Sequence, residues 1–131
     1  MGTLDGLLVV SLEQAVAAPF VSSRLADAGA RVIKIERPEG DFARNYDGVV
    51  KGNSAYFVWL ARGTESLAMD LRQPSEISLL ESMLEKADIL IENFKTGSLQ
   101  KIGLDLTEIR KENPRLITCS ISGYGSKGEW A

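Results

Sequence analysis

An early segment of the chain has the pattern of a strand, a helix and a second strand, and it constrains the fold more than any other stretch. LLVV (7–10) is a short, continuously apolar run, typical of a strand that is covered on both faces. A helical pattern follows, in which Pro19 suits the first turn and Gly29 the position just after the last turn. RVIKIERP (31–38) then predicts a β-branched strand that ends at its proline. A unit of this kind closes onto a parallel sheet.

The remaining residues repeat this alternation after a long connection. Residues 39–64 are polar and contain several glycines around the aromatic stretch YFVWL (56–60), and they predict a loop with a short buried helix. The next elements are predicted as a half-buried strand through Leu67, Met69 and Leu71, a helix over 74–87, a strand over 88–94, short helices over 98–102 and 106–112, and a strand over 115–120. This order of elements predicts an α/β protein with three layers and a mostly parallel sheet.

The size and charge of the chain exclude several classes of function. At 131 residues, it is long enough for one compact domain and too short for two ordinary ones. Its net charge of −3, with the signs interspersed, provides neither the basic surface that binds nucleic acid nor a polybasic membrane patch. No apolar run approaches the roughly 18 residues of a membrane span, and the first residues lack the features of a signal peptide. We therefore expect neither nucleic-acid nor membrane partners.

Histidine is absent from the chain, and cysteine occurs once. Without histidine the chain cannot form a Ser-His-Asp or Cys-His catalytic group, and it offers few ligands for zinc, so we expect no metal. The single Cys119 excludes an internal disulfide and is compatible with the reducing cytoplasm, where we expect the protein to be located. Because Cys119 lies in an apolar strand, it is predicted to be a small core residue rather than a nucleophile.

Three cations follow three different predicted strands. They are Arg37, Arg72 and Lys95, and in an open parallel sheet ligands bind outside the carboxyl ends of the strands. A shared cluster of such cations would bind phosphate groups through charge-assisted hydrogen bonds. Asn93 and Phe94 add an amide that can hydrogen-bond a base and a ring that can stack on it, which indicates a nucleotide-like, polyphosphorylated ligand. The alternative is that the cations are separate solvated residues and that Phe94 belongs to the core.

Glu36 suggests a dinucleotide site, because a carboxylate at the end of a second strand is where NAD enzymes hold a ribose. That fingerprint also requires G-x-G-x-x-G between the first strand and the first helix, and the chain has EQAVAAPF (13–20) there. No GxxxxGK[ST] occurs either, which excludes a P-loop. The sequence therefore disfavours NAD as the ligand.

Four stretches of the sequence together carry a family resemblance. They are AAPFVSSRLADAGARVIKIERPEGDFAR (17–44), GTESLAMDL (63–71), ADILIENFKTGSLQKIGLD (87–105) and NPRLITCSISGYGSKG (113–128). With these motifs the chain resembles the N-terminal part of class III coenzyme A transferases, the family that includes formyl-CoA transferase and the α-methylacyl-CoA racemases. The resemblance covers nearly the whole chain, and the motifs are specific in combination.

This resemblance implies a Rossmann-like large domain that binds coenzyme A (CoA), within a homodimer whose two chains are interlinked. Residues 1–131 would then be one CoA-binding part of the large domain, without the small domain and without the C-terminal return that completes the sheet. By matched position, the resemblance implies CoA contacts at the strand ends and on one short helix, from Val16, Ala17, Arg37, Met69, Asp70, Leu71, Arg72, Asn93, Phe94, Lys95 and Lys101.

The resemblance also implies a reaction between an acyl-CoA and a carboxylic acid. Family enzymes move CoA through an aspartate, whose carboxylate forms a mixed anhydride and then an aspartyl-CoA thioester. In the family this aspartate lies beyond the position that matches Ala131, and none of Asp41, Asp70 and Asp105 matches it. Family chains are also considerably longer. We therefore expect an N-terminal fragment with no catalytic residue of its own, which is inactive alone.

Two alternatives remain open at the level of the sequence. The family also contains racemases, whose histidine and aspartate lie downstream of the matched region as well, although the long connection over 40–63 favours transfer. In the second alternative the chain is a non-catalytic interaction module or split subunit. It would then pair with a second polypeptide, or with the missing C-terminal part, through exposed apolar surface.

Overall fold

The strands form one parallel sheet at the centre of the protein. A computed structural model describes all residues from 1 to 131. The five strands are β1 (Leu8–Leu12), β2 (Arg31–Glu36), β3 (Thr64–Ala68), β4 (Ile89–Glu92) and β5 (Ile117–Ser120). Their order in the sheet is β3-β2-β1-β4-β5, and every neighbouring pair is parallel. This is the strand order of a Rossmann-type sheet, and it confirms the predicted α/β fold.

Six helical segments connect the strands. They are α1 (Ala17–Asp27), the 3₁₀ helix Phe42–Asn45, α2 (Ala55–Leu60), α3 (Pro74–Leu84), α4 (Ser98–Lys101) and α5 (Leu106–Glu112). Local sequence explains several of their boundaries. Pro74 occupies the first turn of α3, and the Asp105 carboxylate accepts a hydrogen bond of 2.8 Å from the backbone N–H of Thr107 at the start of α5. The chain leaves α1 through Gly29, whose φ of 107° favours glycine.

The two faces of the sheet bury different apolar clusters. On one face Val9, Val32 and Ile91 pack against α1, which contributes the buried Ala18. The opposite face carries a larger cluster of 12 buried residues: Val10, Leu12, Ile35, Met69, Ile77, Leu80, Leu84, Ala87, Leu90, Leu99, Leu104 and Leu116. Because successive side chains of a strand point to opposite faces, the central strands contribute to both layers. This explains why LLVV is continuously apolar.

The structure differs from the sequence-based predictions in three places. The predicted short helix is present as α2, but it is not buried, because it packs mainly on α1 and the 3₁₀ helix and leaves Tyr56 and Trp59 exposed. The strand predicted through Met69 and Leu71 ends at Ala68, so the residues that follow form a loop. Cys119 is half-buried on the edge strand β5, where it packs against the α1-side cluster.

Candidate functional site

A cavity of about 600 Å³ opens at the carboxyl ends of the strands. Gln14 borders it after β1, Arg37 after β2, Asp70 after β3 and Phe94 after β4, while Ile102 comes from the segment after α4. β1 and β4 are neighbours in the sheet. From β1 the chain continues to β2 on one side of this pair, and from β4 it continues to β5 on the other side. Such a point of reversal is where open α/β sheets bind ligands, and the volume is typical of small-molecule sites.

Most of the residues that the family resemblance implies lie at this cavity. Those that line it are Arg37, Met69, Asp70, Leu71, Arg72 and Phe94. A second cavity of about 390 Å³ is lined by Ala17, Asn93 and Lys95, and it shares Phe94 with the first. The Phe94 ring therefore stands between the two cavities.

Val16 and Lys101 line neither of these cavities. Val16 directly precedes α1 and is half-buried, whereas Lys101 is the last residue of α4 and is exposed. The structure thus brings together the loops after β2, β3 and β4, and it leaves Lys101 on the outer side of the same region.

The predicted phosphate-binding cations are divided between the two cavities. Arg37 and Arg72 border the first, and Lys95 borders the second. The Arg37 Nε donates a hydrogen bond of 2.9 Å to the carbonyl of Gly40, and its guanidinium lies 5.7 Å from the centre of the Phe42 ring. Both arginines are exposed, so each keeps N–H groups available to an anion. Guanidinium groups at the rim of a partly apolar cavity suit a ligand with phosphates and an apolar or heteroaromatic part.

Asp70 and Arg72 form a paired contact at the rim. The Arg72 Nε and Nη2 donate hydrogen bonds of 2.7 and 3.0 Å to the two carboxylate oxygens of Asp70. These bonds lower the pKa of Asp70 from 3.8 to about 2, so the carboxylate is ionised at neutral pH and accepts hydrogen bonds. An anionic ligand that reaches Arg72 therefore has to share this guanidinium with Asp70.

The side chain of Asn93 bridges two loops where the connections of the sheet diverge. Its Oδ1 accepts a hydrogen bond of 3.0 Å from the backbone N–H of Gln14, and its Nδ2 donates one of 2.8 Å to the carbonyl of Gln14. The sequence suggests that this amide reads a base, whereas in the structure it joins the loop after β4 to the loop after β1. Asn93 thereby fixes the position of the backbone between the two cavities.

The sheet face that is covered by α1 becomes polar toward the carboxyl ends of the strands. On this face Val9 of β1 is followed by Ser11, and Val32 of β2 is followed by Lys34. Ser66 of β3 lies in register with Lys34, so Ser11, Lys34 and Ser66 form a row across three strands. Lys34 is only 1% exposed. An ammonium group in such a place needs carboxylate partners, because burying an unpaired charge is very costly.

Two buried carboxylates pair with Lys34. Its Nζ lies 2.8 Å from Oδ2 of Asp41 and 3.3 Å from Oε1 of Glu13. The other oxygen of Glu13 accepts hydrogen bonds from the hydroxyl groups of Ser11 and Ser22. Every buried side-chain nitrogen and oxygen of the protein has a hydrogen-bond partner. A satisfied ionic network therefore lies directly beneath the loops that border the first cavity.

A second ion pair continues this network toward the surface. Arg44 donates hydrogen bonds of 2.9 and 2.7 Å to the two carboxylate oxygens of Glu36, which also accept from the Ser66 hydroxyl and from the backbone N–H of Asp41. Burial alone would raise the pKa of Glu36, but these hydrogen bonds more than offset it and lower the pKa from 4.5 to about 2. The guanidinium of Arg44 lies 3.8 Å from the centre of the Phe57 ring.

Lys34, Glu13 and Arg44 are not among the residues that the sequence motifs indicate, although the sequence contains one signal. A lysine between isoleucines, in the second strand of a unit that closes onto a parallel sheet, has little access to solvent. Such a lysine requires acidic partners nearby, and Glu13 and Asp41 both follow predicted strands at the same edge of the sheet. The sequence therefore indicates that Lys34 needs acidic partners, but it does not identify Glu13 and Asp41 as those partners.

The protein also exposes a continuous group of aromatic side chains, called here the aromatic surface. It consists of Phe20, Phe42, Tyr46, Tyr56 and Trp59, all of which are exposed. Neighbouring rings lie between 5.8 and 6.4 Å apart, in the order Phe42, Tyr46, Tyr56, Trp59, Phe20. The surface extends from α1 over α2 to the 3₁₀ helix. An exposed apolar group of this extent is typical of an interaction site.

The structure contains neither a membrane-spanning helix nor a cluster of metal ligands. None of its helices is both long enough and apolar enough to cross a bilayer. No group of three or more His, Cys, Asp or Glu side chains has the arrangement of a metal site. Several acidic side chains that line the first cavity are instead paired with cations, as Asp70 is with Arg72.

Comparison with known proteins gives consistent matches over nearly the whole chain. Residues 4–131 match the profile of CoA-transferase family III. The acetyl-CoA:oxalate CoA-transferase of Acetobacter aceti is 42% identical over 131 residues, which are 99% of this chain and 34% of that protein. The succinate–glutarate CoA-transferase of Agrobacterium fabrum is 39% identical, over 98% of this chain and 34% of that protein. The chain therefore spans about a third of the length of these relatives.

Solved structures agree with this result. The crystal structure of a CAIB/BAIF family protein from Brucella suis superimposes with a TM-score of 0.91 at 42% sequence identity. The match covers 98% of this chain and 35% of that chain. The similarity in sequence and the similarity in backbone thus extend over the same residues, including all five strands and both cavities.

Proposed function

Because this chain belongs to CoA-transferase family III, we propose that residues 1–131 form the CoA-binding part of an enzyme that moves CoA between carboxylic acids. The observation that carries the proposal is the convergence of the loops after β2, β3 and β4 on one cavity with two arginines at its rim. Arg37 and Arg72 would bind phosphate groups of CoA, while Met69, Leu71 and Phe94 would contact its apolar and aromatic parts. The loop residues that border the second cavity would complete the contact.

The proposed reaction proceeds through an aspartate that does not lie within residues 1–131. Its carboxylate attacks the thioester carbonyl of the acyl-CoA and expels the CoA thiolate, which gives a mixed anhydride. The thiolate then attacks the aspartyl carbonyl, releases the first acid and leaves an aspartyl-CoA thioester. The acceptor carboxylate repeats the two steps in reverse order and departs as a new acyl-CoA. In this scheme the present residues bind and orient CoA, and they do not transfer it alone.

Transfer is favoured over racemisation by the relatives themselves. The similar proteins of Acetobacter aceti and Agrobacterium fabrum are both CoA-transferases by name. The long connection between β2 and β3, which carries the 3₁₀ helix and α2, is a second feature that supports this choice. The cytoplasmic location stays a prediction from the single cysteine.

Calorimetric titration of the chain with CoA tests the proposed function. We expect the chain to bind CoA, and we expect Arg37→Gln and Arg72→Gln each to raise the dissociation constant about threefold to tenfold, because each removes a charge-assisted hydrogen bond to phosphate. Arg31→Gln is the matched control, because Arg31 is an exposed arginine at the amino end of β2 that pairs with Glu65. Absence of binding at millimolar CoA, or equal losses for Arg31→Gln and the rim variants, would contradict the proposal.

The aromatic surface supports a second function, which is association with a second copy of the chain. Its exposed rings would be buried in a homodimer, and burial of apolar area is the main driving force of such association. We expect light scattering of the wild-type protein to give the mass of a dimer. We expect Trp59→Ser to lower this mass to that of a monomer. Trp130→Ser is the control, since Trp130 is also an exposed tryptophan but lies outside the aromatic surface. A monomeric wild-type protein at high concentration would exclude this role.

A further inference from the structure

The loop between β1 and α1 has an unusual backbone at the edge of the cavity. Ala15 has a φ of 63°, the left-handed region that residues with a Cβ rarely adopt. It precedes Val16 and Ala17, at which α1 begins, and Gln14 on its other side borders the first cavity. The direction in which the chain enters α1 therefore depends on a conformation that alanine does not favour by itself. Some other contact has to hold it.

Asp41 supplies that contact from the loop after β2. Its Oδ1 accepts a hydrogen bond of 3.2 Å from the backbone N–H of Ala15 and one of 2.9 Å from the backbone N–H of Ala43. One carboxylate oxygen thus joins the β1–α1 loop to the start of the 3₁₀ helix. Asp41 is 4% exposed, so water does not compete for these bonds.

Lys34 fixes the other oxygen of the same carboxylate. Its Nζ lies 2.8 Å from Oδ2 of Asp41, on the face of β2 that is covered by α1. The backbone N–H of Asp41 in turn donates to Glu36 over 2.8 Å. The carboxylate and the backbone N–H of Asp41 are therefore both hydrogen-bonded within the protein, which fixes the position of this residue. Its orientation is set by two neighbouring positions of the same face of β2, namely Lys34 and Glu36.

We propose that Asp41, anchored by Lys34, is a positioning residue for CoA binding, which holds Ala15 in the left-handed conformation and thereby sets the backbone of residues 14–17 at the cavity edge. This proposal rests on the proposed function, because that function makes CoA the ligand of the first cavity. Asp41 borders the first cavity, but its carboxylate oxygens accept hydrogen bonds from Ala15, Ala43 and Lys34, so its effect on CoA is assigned to the loop that it holds. Without this anchor, Ala15 relaxes to negative φ and the competent loop becomes a minor conformation.

Asp41→Asn is the first test. The amide has nearly the same size as the carboxylate, but only one of its two terminal atoms is an acceptor. It therefore cannot accept from Lys34 on one atom and from Ala15 on the other. If the competent loop falls to about a tenth of the population, the dissociation constant for CoA rises about tenfold. Amide hydrogen exchange of Ala15, followed by NMR, is expected to become faster, because the open fraction of the loop rises. Asp47→Asn is the matched control, because Asp47 likewise accepts from two backbone N–H groups, those of Val49 and Ala55, and does not line the cavity.

A double variant separates positioning from a general loss of structure. Glycine adopts left-handed φ without steric cost, so Ala15→Gly added to Asp41→Asn is expected to recover a substantial part of the lost CoA affinity. Circular dichroism of both variants checks that the recovered affinity does not come from a recovered folded fraction. If Asp41→Asn does not fold, as judged by circular dichroism, Ala15→Val replaces it, because it leaves the ion pair intact and disfavours the left-handed conformation.

The outcomes distinguish the two proposals. If the wild-type chain does not bind CoA, the proposed function fails, and the positioning role is still decided by the exchange of the Ala15 amide. Unchanged exchange in folded Asp41→Asn overturns the role of the anchor. Unchanged CoA affinity in folded Asp41→Asn, or in Ala15→Val, overturns the role in binding. If Asp41→Asn weakens CoA binding and the added Ala15→Gly recovers the affinity, the result supports both the anchor role and the role in binding.

Discussion

Replacing Glu36 by glutamine should cost stability in a way that depends on pH. The carboxylate of Glu36 accepts four hydrogen bonds, from two nitrogens of Arg44, the Ser66 hydroxyl and the backbone N–H of Asp41. Glutamine places an NH₂ group where two of these donors point, so Glu36→Gln leaves two donors around a buried side chain without an acceptor. The folded protein stabilises the ionised form of Glu36. Glutamine has no ionised form, so the variant loses this stabilisation.

The size of the effect follows from the pKa of Glu36. The pKa is about 2 in the folded protein against an ordinary value of 4.5, and one unit of pKa corresponds to about 1.4 kcal/mol. Because the folded-state pKa is the lower one, the stabilisation is fully present above pH 4.5 and is lost as the pH falls through 2. It amounts to about 3 kcal/mol at pH 7 and about 1 kcal/mol at pH 3.

Urea denaturation at a series of pH values measures this difference. The free energy of unfolding of the wild-type protein minus that of Glu36→Gln is expected to shrink by about 2 kcal/mol between pH 7 and pH 3. Glu108→Gln is the matched control, because Glu108 pairs with Lys111 on the exposed face of α5, and we expect it to change the free energy of unfolding little at any pH. A Glu36→Gln difference that stays constant across this pH range would refute the reasoning.

Three further substitutions test other parts of the fold by the same denaturation assay. Leu80→Ala removes a fully buried side chain of α3 and should cost about 2–5 kcal/mol of unfolding free energy; a loss below 1 kcal/mol would show that the larger cluster is not packed as described. Lys34→Met leaves the carboxylates of Asp41 and Glu13 buried without a cation and should cost about 3–5 kcal/mol, and an unchanged stability would contradict the buried network. Asp105→Ala removes the N-cap of α5 and should cost about 1 kcal/mol, with Thr107→Ala as a control that keeps the cap.

The sequence predicts the sheet well because its central strands leave a strong pattern. LLVV is apolar at every position, as a parallel strand buried on both faces must be, and RVIKIE carries the β-branched residues Val32, Ile33 and Ile35. The prolines and glycines at the helix ends mark the same boundaries that the structure shows, within a few residues, as at Pro74 and Gly29. The alternation of strands and helices makes the fold class predictable from local signals, whereas the strand order is known from the structure.

The exposure of α2 and the network around Lys34 depend on contacts that local patterns do not describe. The aromatic residues of α2 are as hydrophobic as a core segment, and only the position of α2 on the outer side of α1 leaves Tyr56 and Trp59 exposed. Lys34 is separated by seven positions from Asp41 and lies on a different element from Glu13. Their pairing results from the register of β1 with β2.

The candidate site is likewise only partly predictable from the sequence. The positions of Arg37, Arg72 and Lys95 at strand ends are predictable, because the strands themselves are. Which of them share a cavity is not, since this depends on the loop after β4 and on the Phe94 ring that stands between the cavities. Asn93 illustrates the limit most clearly, because its amide is engaged by the backbone of Gln14 rather than directed into open space.

The place of β1 in the sheet has a consequence for the order in which the protein can assemble. β1 is the first strand of the chain and also the middle strand of the sheet, where Val9 pairs with Val32 on one side and with Ile89 on the other. The first partner follows after a short loop closure, while the second has to wait for most of the chain to be made. During synthesis, the edge of β1 that later receives β4 is therefore an unpaired, apolar strand edge, and it is the part of the nascent chain most exposed to wrong strand pairing.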